Sequence, residues 1–234
     1  MMPSLDMNMS LFDKNRLNII IGAYGSGKSE VSVNFAKLMK ESHPDQKVLL
    51  ADMDIVNPFY RSADAAKKLE ESDIRIVFPS YAGSNVDAPV LSGEMYIIFD
   101  DESYAGVFDI GGEDMGANVL GYLKSRLEGI DAGLYMVVNT LRPFTSDPMG
   151  IAQMTHELQE AARMKITGYI NNTNLLEYTT PEHIMEGEKI IMEASKLTGI
   201  PLLATTIMDG VDKSSLKLEC EEIITLSRTI HYDY

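Results

Sequence analysis

Residues 17–29 read LNIIIGAYGSGKS, an apolar run from Leu17 that passes directly into Gly22-Ala23-Tyr24-Gly25-Ser26-Gly27-Lys28-Ser29. The spacing Gly22-x-x-x-x-Gly27-Lys28-Ser29 is that of a phosphate-binding loop between a strand and a helix. Glycines at 22, 25 and 27 let backbone N–H groups turn inward around an anion with no Cβ in the way. A helix beginning near Lys28 adds the positive end of its dipole. In this pattern Lys28 reaches the β- and γ-phosphates, and the Ser29 hydroxyl serves Mg²⁺. The candidate nucleotide contacts are therefore Gly22, Ala23, Tyr24, Gly25, Ser26, Gly27, Lys28, Ser29 and Glu30.

Working outward, apolar runs suited to buried strands alternate with helical patterns. Strands are predicted at 17–22, 47–53, 74–77, 105–109, 132–138, 165–170 and 201–206. Helices are predicted at 28–41, 62–71, near 90–100, and at 113–128, 147–163, 181–198 and 216–230. This alternation predicts an α/β fold, a doubly wound and largely parallel sheet with helices on both faces. Gly129 and Gly199 mark helix ends, and Pro181 suits a first helical turn. At 234 residues and 45% apolar content, one domain over 1–234 is expected.

Charge and composition narrow the function. Lys and Arg number 20 against 35 Asp and Glu, a net −15, which opposes nonspecific attraction to nucleic acid or anionic lipid. Neither a nucleic acid nor a membrane is an expected partner. No apolar run approaches 20 residues and Met1–Asn15 lacks signal-peptide order, so a cytoplasmic location is the expectation. The single cysteine, Cys220, excludes an intrachain disulfide and reads as helix packing. His43, His156, His183 and His231 are dispersed, with no ligand spacing.

Further candidates fall at strand carboxyl ends, where sheets of this type bind ligands. Asp52 and Asp54, followed by Asn57-Pro58 and Arg61, sit at the end of the second strand. Two acids two residues apart on extended chain point the same way, so one can hold a metal-bound water while the other orients attacking water. Asp109, in GVFDIGG, fits a Walker B acid that binds Mg²⁺ through water. Gly112 can bring an N–H to the γ-phosphate and make its segment sensitive to that group. Arg61 or Arg142 can supply positive charge there. Asn171 and Asn172 end the sixth strand; an Asn amide pairs with adenine, and the guanine-reading Asn-Lys-x-Asp string is absent.

GAYGSGKS, then DMDIVNP after the second strand, then DIGG after the fourth, resembles the MinD/ParA-like group of P-loop ATPases, related to the CobQ/CobB nucleotide-binding domains. The resemblance covers most of the chain in order and spacing. It implies ATP and Mg²⁺ as cofactors, with Lys28 on phosphate, Ser29, Asp54 and Asp109 around the metal, and Asp54 also as a candidate for water activation. It places Asn171 and Asn172 near the base. It also implies a nucleotide-dependent homodimer, in which a second lysine after the first loop glycine reaches the partner's site; Ala23 stands at that place here.

The expected function is a Mg²⁺-dependent ATP-binding protein, a slow ATPase with Lys28 and Asp54 as catalytic candidates, acting as a nucleotide-state switch for a protein partner. Two alternatives remain open. One is a small-molecule kinase or ATP-dependent ligase, with residues 79–95 as acceptor site. The other is a nonhydrolysing nucleotide sensor.

Overall fold

A computed structural model describes residues 9–53, 69–78, 93–111 and 114–229, with 114 and 115 described by backbone alone. Eight strands form one sheet: β1 (Leu17–Ile21), β2 (Lys47–Met53), β3 (Ile74–Val77), β4 (Tyr104–Ile110), β5 (Ala132–Val138), β6 (Gly168–Asn171), β7 (Leu202–Met208) and β8 (Ile223–Leu226). Their order is β3-β2-β4-β1-β5-β6-β7-β8, and every neighbouring pair is parallel. The helices are α1 (Lys28–Ser42), α2 (Ile97–Asp100), α3 (Asp114–Leu127), α4 (Pro148–Ala162) and α5 (Pro181–Thr198).

β1 is buried along its whole length, as a central strand covered on both faces must be. Its alternate residues therefore serve two cores. Leu17, Ile19 and Ile21 face the core shared with Leu120 and Leu123 of α3, Ile151 and Leu158 of α4, and Ile191 of α5. Ile20 faces the other core, where Val31, Phe35 and Met39 of α1 pack. The chain leaves β1 through α1 toward β2, but leaves β5 through α4 toward β6 on the opposite face. Adjacent strands whose connections diverge in this way open a crevice at their carboxyl ends. The Gly22–Ser29 bend lies at that end of β1.

Local chemistry explains the element ends. Asp147 caps α4, its Oδ1 accepting from the backbone N–H of Met149 at 2.9 Å and of Gly150 at 3.1 Å. Thr180 and His183 form a reciprocal capping box at α5, Pro181 occupies its first turn, and Gly199 closes it in the left-handed region with φ 74°.

One predicted element is corrected. The helix expected at 216–230 is instead the strand β8, which pairs with β7 from Thr205↔Ile223 to Met208↔Leu226. Ile223-Ile224-Thr225-Leu226 is β-branched at three positions and alternates exposed and buried, which suits a sheet edge over a helix. The residues expected as a helix near 90–100 form a 3₁₀ turn, Gly93–Tyr96, followed by α2. Of the helix expected at 62–71, residues 62–68 lie outside the described residues.

Past β8 the chain is tied to α1. Asn34 holds Ser227 at two points, its Oδ1 accepting from Ser227 N at 2.8 Å and its Nδ2 donating to Ser227 O at 3.0 Å. One turn nearer the bend, Glu30 Oε1 accepts from Thr229 N at 2.7 Å. The final described residues thus run along α1 toward its amino end.

Candidate functional site

The bend is built by glycines for steric reasons. A Cβ on Gly22 would collide with the Val137 carbonyl and approach Ser26 Oγ. Gly25 (φ 73°) and Gly27 (φ 82°) adopt left-handed backbone, where a side chain costs about 1 kcal/mol or more. Gly27 is also the residue before α1, and having no side chain it cannot cap that helix, whose first N–H groups face the bend. Lys28 is 6% exposed, Ser29 and Glu30 are half-buried, and Ala23 is buried. Ser26 Oγ is buried with no hydrogen-bond partner among the described residues. A cradle that side chains would fill, a stranded hydroxyl and a lysine at a helix start fit a polyphosphate chain.

Two acids complete the described part of the site. Asp52 and Asp109 are opposite one another in the β2–β4 register, and both are fully buried. Asp109 also pairs in register with Ile20, so both carboxylates share the sheet face of α1, the helix that the bend opens. Side-by-side acids below a helix amino end suit a hydrated divalent cation. Asp54, Asn57, Pro58, Arg61, Gly112 and most of the 79–95 segment lie outside the described residues.

Two segments brace the bend. After β5, Arg142 Nε donates to the Gly25 carbonyl at 2.9 Å, which sets a guanidinium against the loop. After β6, Asn172 Nδ2 donates to the Ser26 carbonyl at 2.8 Å, while Asn172 Oδ1 accepts from the Thr206 hydroxyl at 2.7 Å. Asn171 turns the other way, donating to the Ile184 carbonyl at 3.1 Å and accepting from Thr173 N at 3.1 Å.

The base-reading expectation for Asn171 and Asn172 differs from this geometry. Asn171 is fully buried and Asn172 almost so, and each amide is bonded inside the protein. A buried amide keeps internal partners because leaving them unmade is costly. No local sequence pattern links Thr206, a β7 hydroxyl, to a loop after β1. Asp52 was legible through its two-residue spacing from Asp54 and its place at a strand end.

Aromatic and aliphatic side chains rim this edge. Tyr24 in the bend, Phe144 after β5 and Tyr178 after β6 are 71%, 73% and 74% exposed, at the carboxyl ends of three adjacent strands. Met149 is also exposed at the start of α4.

No protein-family model matches the sequence, and no curated protein does. Solved structures do. The chloroplast FtsY of Physcomitrella patens superposes with a TM-score of 0.56 at 16% identity, over 81% of this chain and 57% of that one. The FtsY of Thermotoga maritima gives 0.54 at 15% identity, over 82% and 61%. The fold is the α/β P-loop fold shared with these proteins. The chain spans less than two thirds of the length of either.

Proposed function

We propose that this chain binds ATP with Mg²⁺ in the Gly22–Ser29 bend, hydrolyses it slowly, and presents its nucleotide state to a protein partner. The observation that carries the reading is the bend itself, left-handed at Gly25 and Gly27 and opening α1 at a buried Lys28. The GAYGSGKS, DMDIVNP and DIGG order supports a place near the MinD/ParA-like ATPases.

In this reading the inward N–H groups and Lys28 bind the phosphates, and Ser29, Asp109 and Asp54 hold the metal. Asp52, in register with Asp109, adds a second buried carboxylate on the same face. Bound Mg²⁺ neutralises charge on the phosphate oxygens. Asp54 orients water for attack. Arg142, bonded to the Gly25 carbonyl, supplies positive charge beside the loop where a second lysine is missing at Ala23. Without that lysine, transition-state charge is less well compensated, which accords with slow turnover. Adenine is favoured over guanine because residues 172–175 read Asn-Thr-Asn-Leu, with no carboxylate to accept from a guanine N1–H and N2–H.

The partner side of the proposal rests on the rim. Large apolar side chains left exposed at the edge that carries a polar site suit an interaction surface. Tyr24, Phe144 and Tyr178 offer such a surface within the loops that nucleotide would touch. The experiment is calorimetric titration of ATP with Mg²⁺ into the purified chain, repeated with GTP and with Lys28→Ala. ATP binding stronger than GTP binding, lost in Lys28→Ala, supports the reading; equal binding in the variant rejects it.

A further inference from the structure

Asn172 reaches the bend from a different strand, and what it bonds decides which way a peptide faces. Its Nδ2 donates to the Ser26 carbonyl at 2.8 Å. In a planar trans peptide the C=O and the following N–H point in opposite directions, and no peptide among the described residues is cis. With the Ser26 oxygen held outward against Asn172, the Gly27 N–H is turned to the other side, into the bend. We propose that Asn172 is a positioning residue that aims the Gly27 N–H at bound phosphate, and that Thr206 fixes the amide that does so. This rests on the nucleotide-binding reading above and assigns its loop an outside support.

The surroundings of Asn172 support the assignment. The amide has only one workable orientation, because reversing it would set two acceptor oxygens against each other at Ser26. Thr206 Oγ1, 2.7 Å from Asn172 Oδ1 and 3.0 Å from the Asn171 carbonyl, donates toward acceptors and reinforces that orientation. The contact at Gly27 is also too close for any larger residue, since a Cβ there would run into Asn172 Nδ2. Asn172, Ser26 and Thr206 are all buried, and a hydrogen bond closed off from water holds its direction more firmly than an exposed one. The Asn172 backbone is fixed in turn, its N–H donating to the Val138 carbonyl at 2.8 Å and its carbonyl accepting from Asn174 Nδ2 at 2.7 Å.

The test uses tripolyphosphate with Mg²⁺, which reads the loop without a base. Asn172→Asp is nearly isosteric but sets a carboxylate oxygen against the Ser26 carbonyl. It is expected to weaken tripolyphosphate and ATP binding by at least about tenfold, at a temperature where circular dichroism shows the variant folded. Thr206→Val is expected to weaken both by a smaller factor. In the wild type, the Gly27 amide resonance is expected to move downfield when tripolyphosphate is added. If Asn172→Asp lowers thermal stability but leaves the folded protein's tripolyphosphate affinity within twofold of wild type, Asn172 is merely structural and the proposal is overturned. Should that variant not fold, the Gly27 resonance of the wild type and Thr206→Val decide, and an unmoved resonance overturns the proposal. A wild type that binds neither tripolyphosphate nor ATP overturns the nucleotide reading itself, whereas loss in Lys28→Ala with full binding in Asn172→Asp overturns only this assignment.

Discussion

Asp52 and Asp109 stand opposite each other on parallel neighbouring strands, both fully buried and both on the sheet face that carries α1. Two carboxylates so placed repel unless a proton or a cation lies near them. The amino end of α1 and Lys28 lie on the same side, and in the proposed reading the pair would serve a Mg²⁺ ion that arrives with the phosphates.

Asp109→Asn therefore should weaken Mg²⁺-dependent ATP binding and lower turnover by about 10- to 100-fold, the usual cost of losing a residue that holds a metal's water. ATP affinity measured in excess chelator should hardly change. Titration with and without Mg²⁺ checks this, and a loss of equal size in both conditions would refute the metal role.

Gly27→Ala should combine left-handed strain with a collision at Asn172. Gly129 provides the control, since it has φ 89° and nothing within 4 Å of an added Cβ. Gly129→Ala should cost about 1 kcal/mol of stability and leave ATP binding intact. Gly27→Ala should cost more and abolish binding, as denaturant titration and calorimetry would show.

Asn34→Ala removes both bonds to the Ser227 backbone. Ser227 is exposed, so water can replace the lost partner, and the two bonds together should be worth about 1–3 kcal/mol at the usual net value of about 0.5–1.5 kcal/mol each. Hydrogen exchange at Ser227 should quicken while that of β5 keeps its wild-type rate. Unchanged exchange at Ser227 would show that the segment after β8 is held by other means.

Tyr135 gives a pH signature. Burial, with the Asp131 charge adding to it, pushes its phenol up from 10.0 to about 12, and its hydroxyl donates to Asn15 Oδ1 at 2.5 Å. A folded-state value above the unfolded one means that this stabilisation is complete below pH 10 and is lost as pH rises toward 12. The loss should be about 2–3 kcal/mol over that window. In Tyr135→Phe this alkaline decline should be shallower, which stability measurements between pH 9 and 12 would detect.

Much of the fold could be read from the chain because its strands are short apolar runs flanked by polar residues, such as Gln46 and Asp54 around β2 and Asp131 and Asn139 around β5. β2, β3, β5 and α5 were predicted with the boundaries that the structure has. Gly27 and Lys28 announced the bend through local spacing alone. The C-terminal segment misled because Leu216, Leu218, Ile223 and Leu226 can be fitted to a helical face when the pairing partner is unseen. Only β7 alongside makes Ile223–Leu226 a strand. Asn172 misled for a related reason: an Asn after a strand reads as a ligand contact or a turn, and its bond to Ser26 spans 146 residues of sequence.

Phosphate in the Gly22–Ser29 bend is tested most directly by the dissociation constant for ATP with Mg²⁺ in the wild type and in Lys28→Ala. The wild type should bind saturably and the variant should lose at least about a hundredfold in affinity, as expected for removing a charge-assisted contact at a partly closed site. Equal affinity in the two proteins, with both folded, would contradict it.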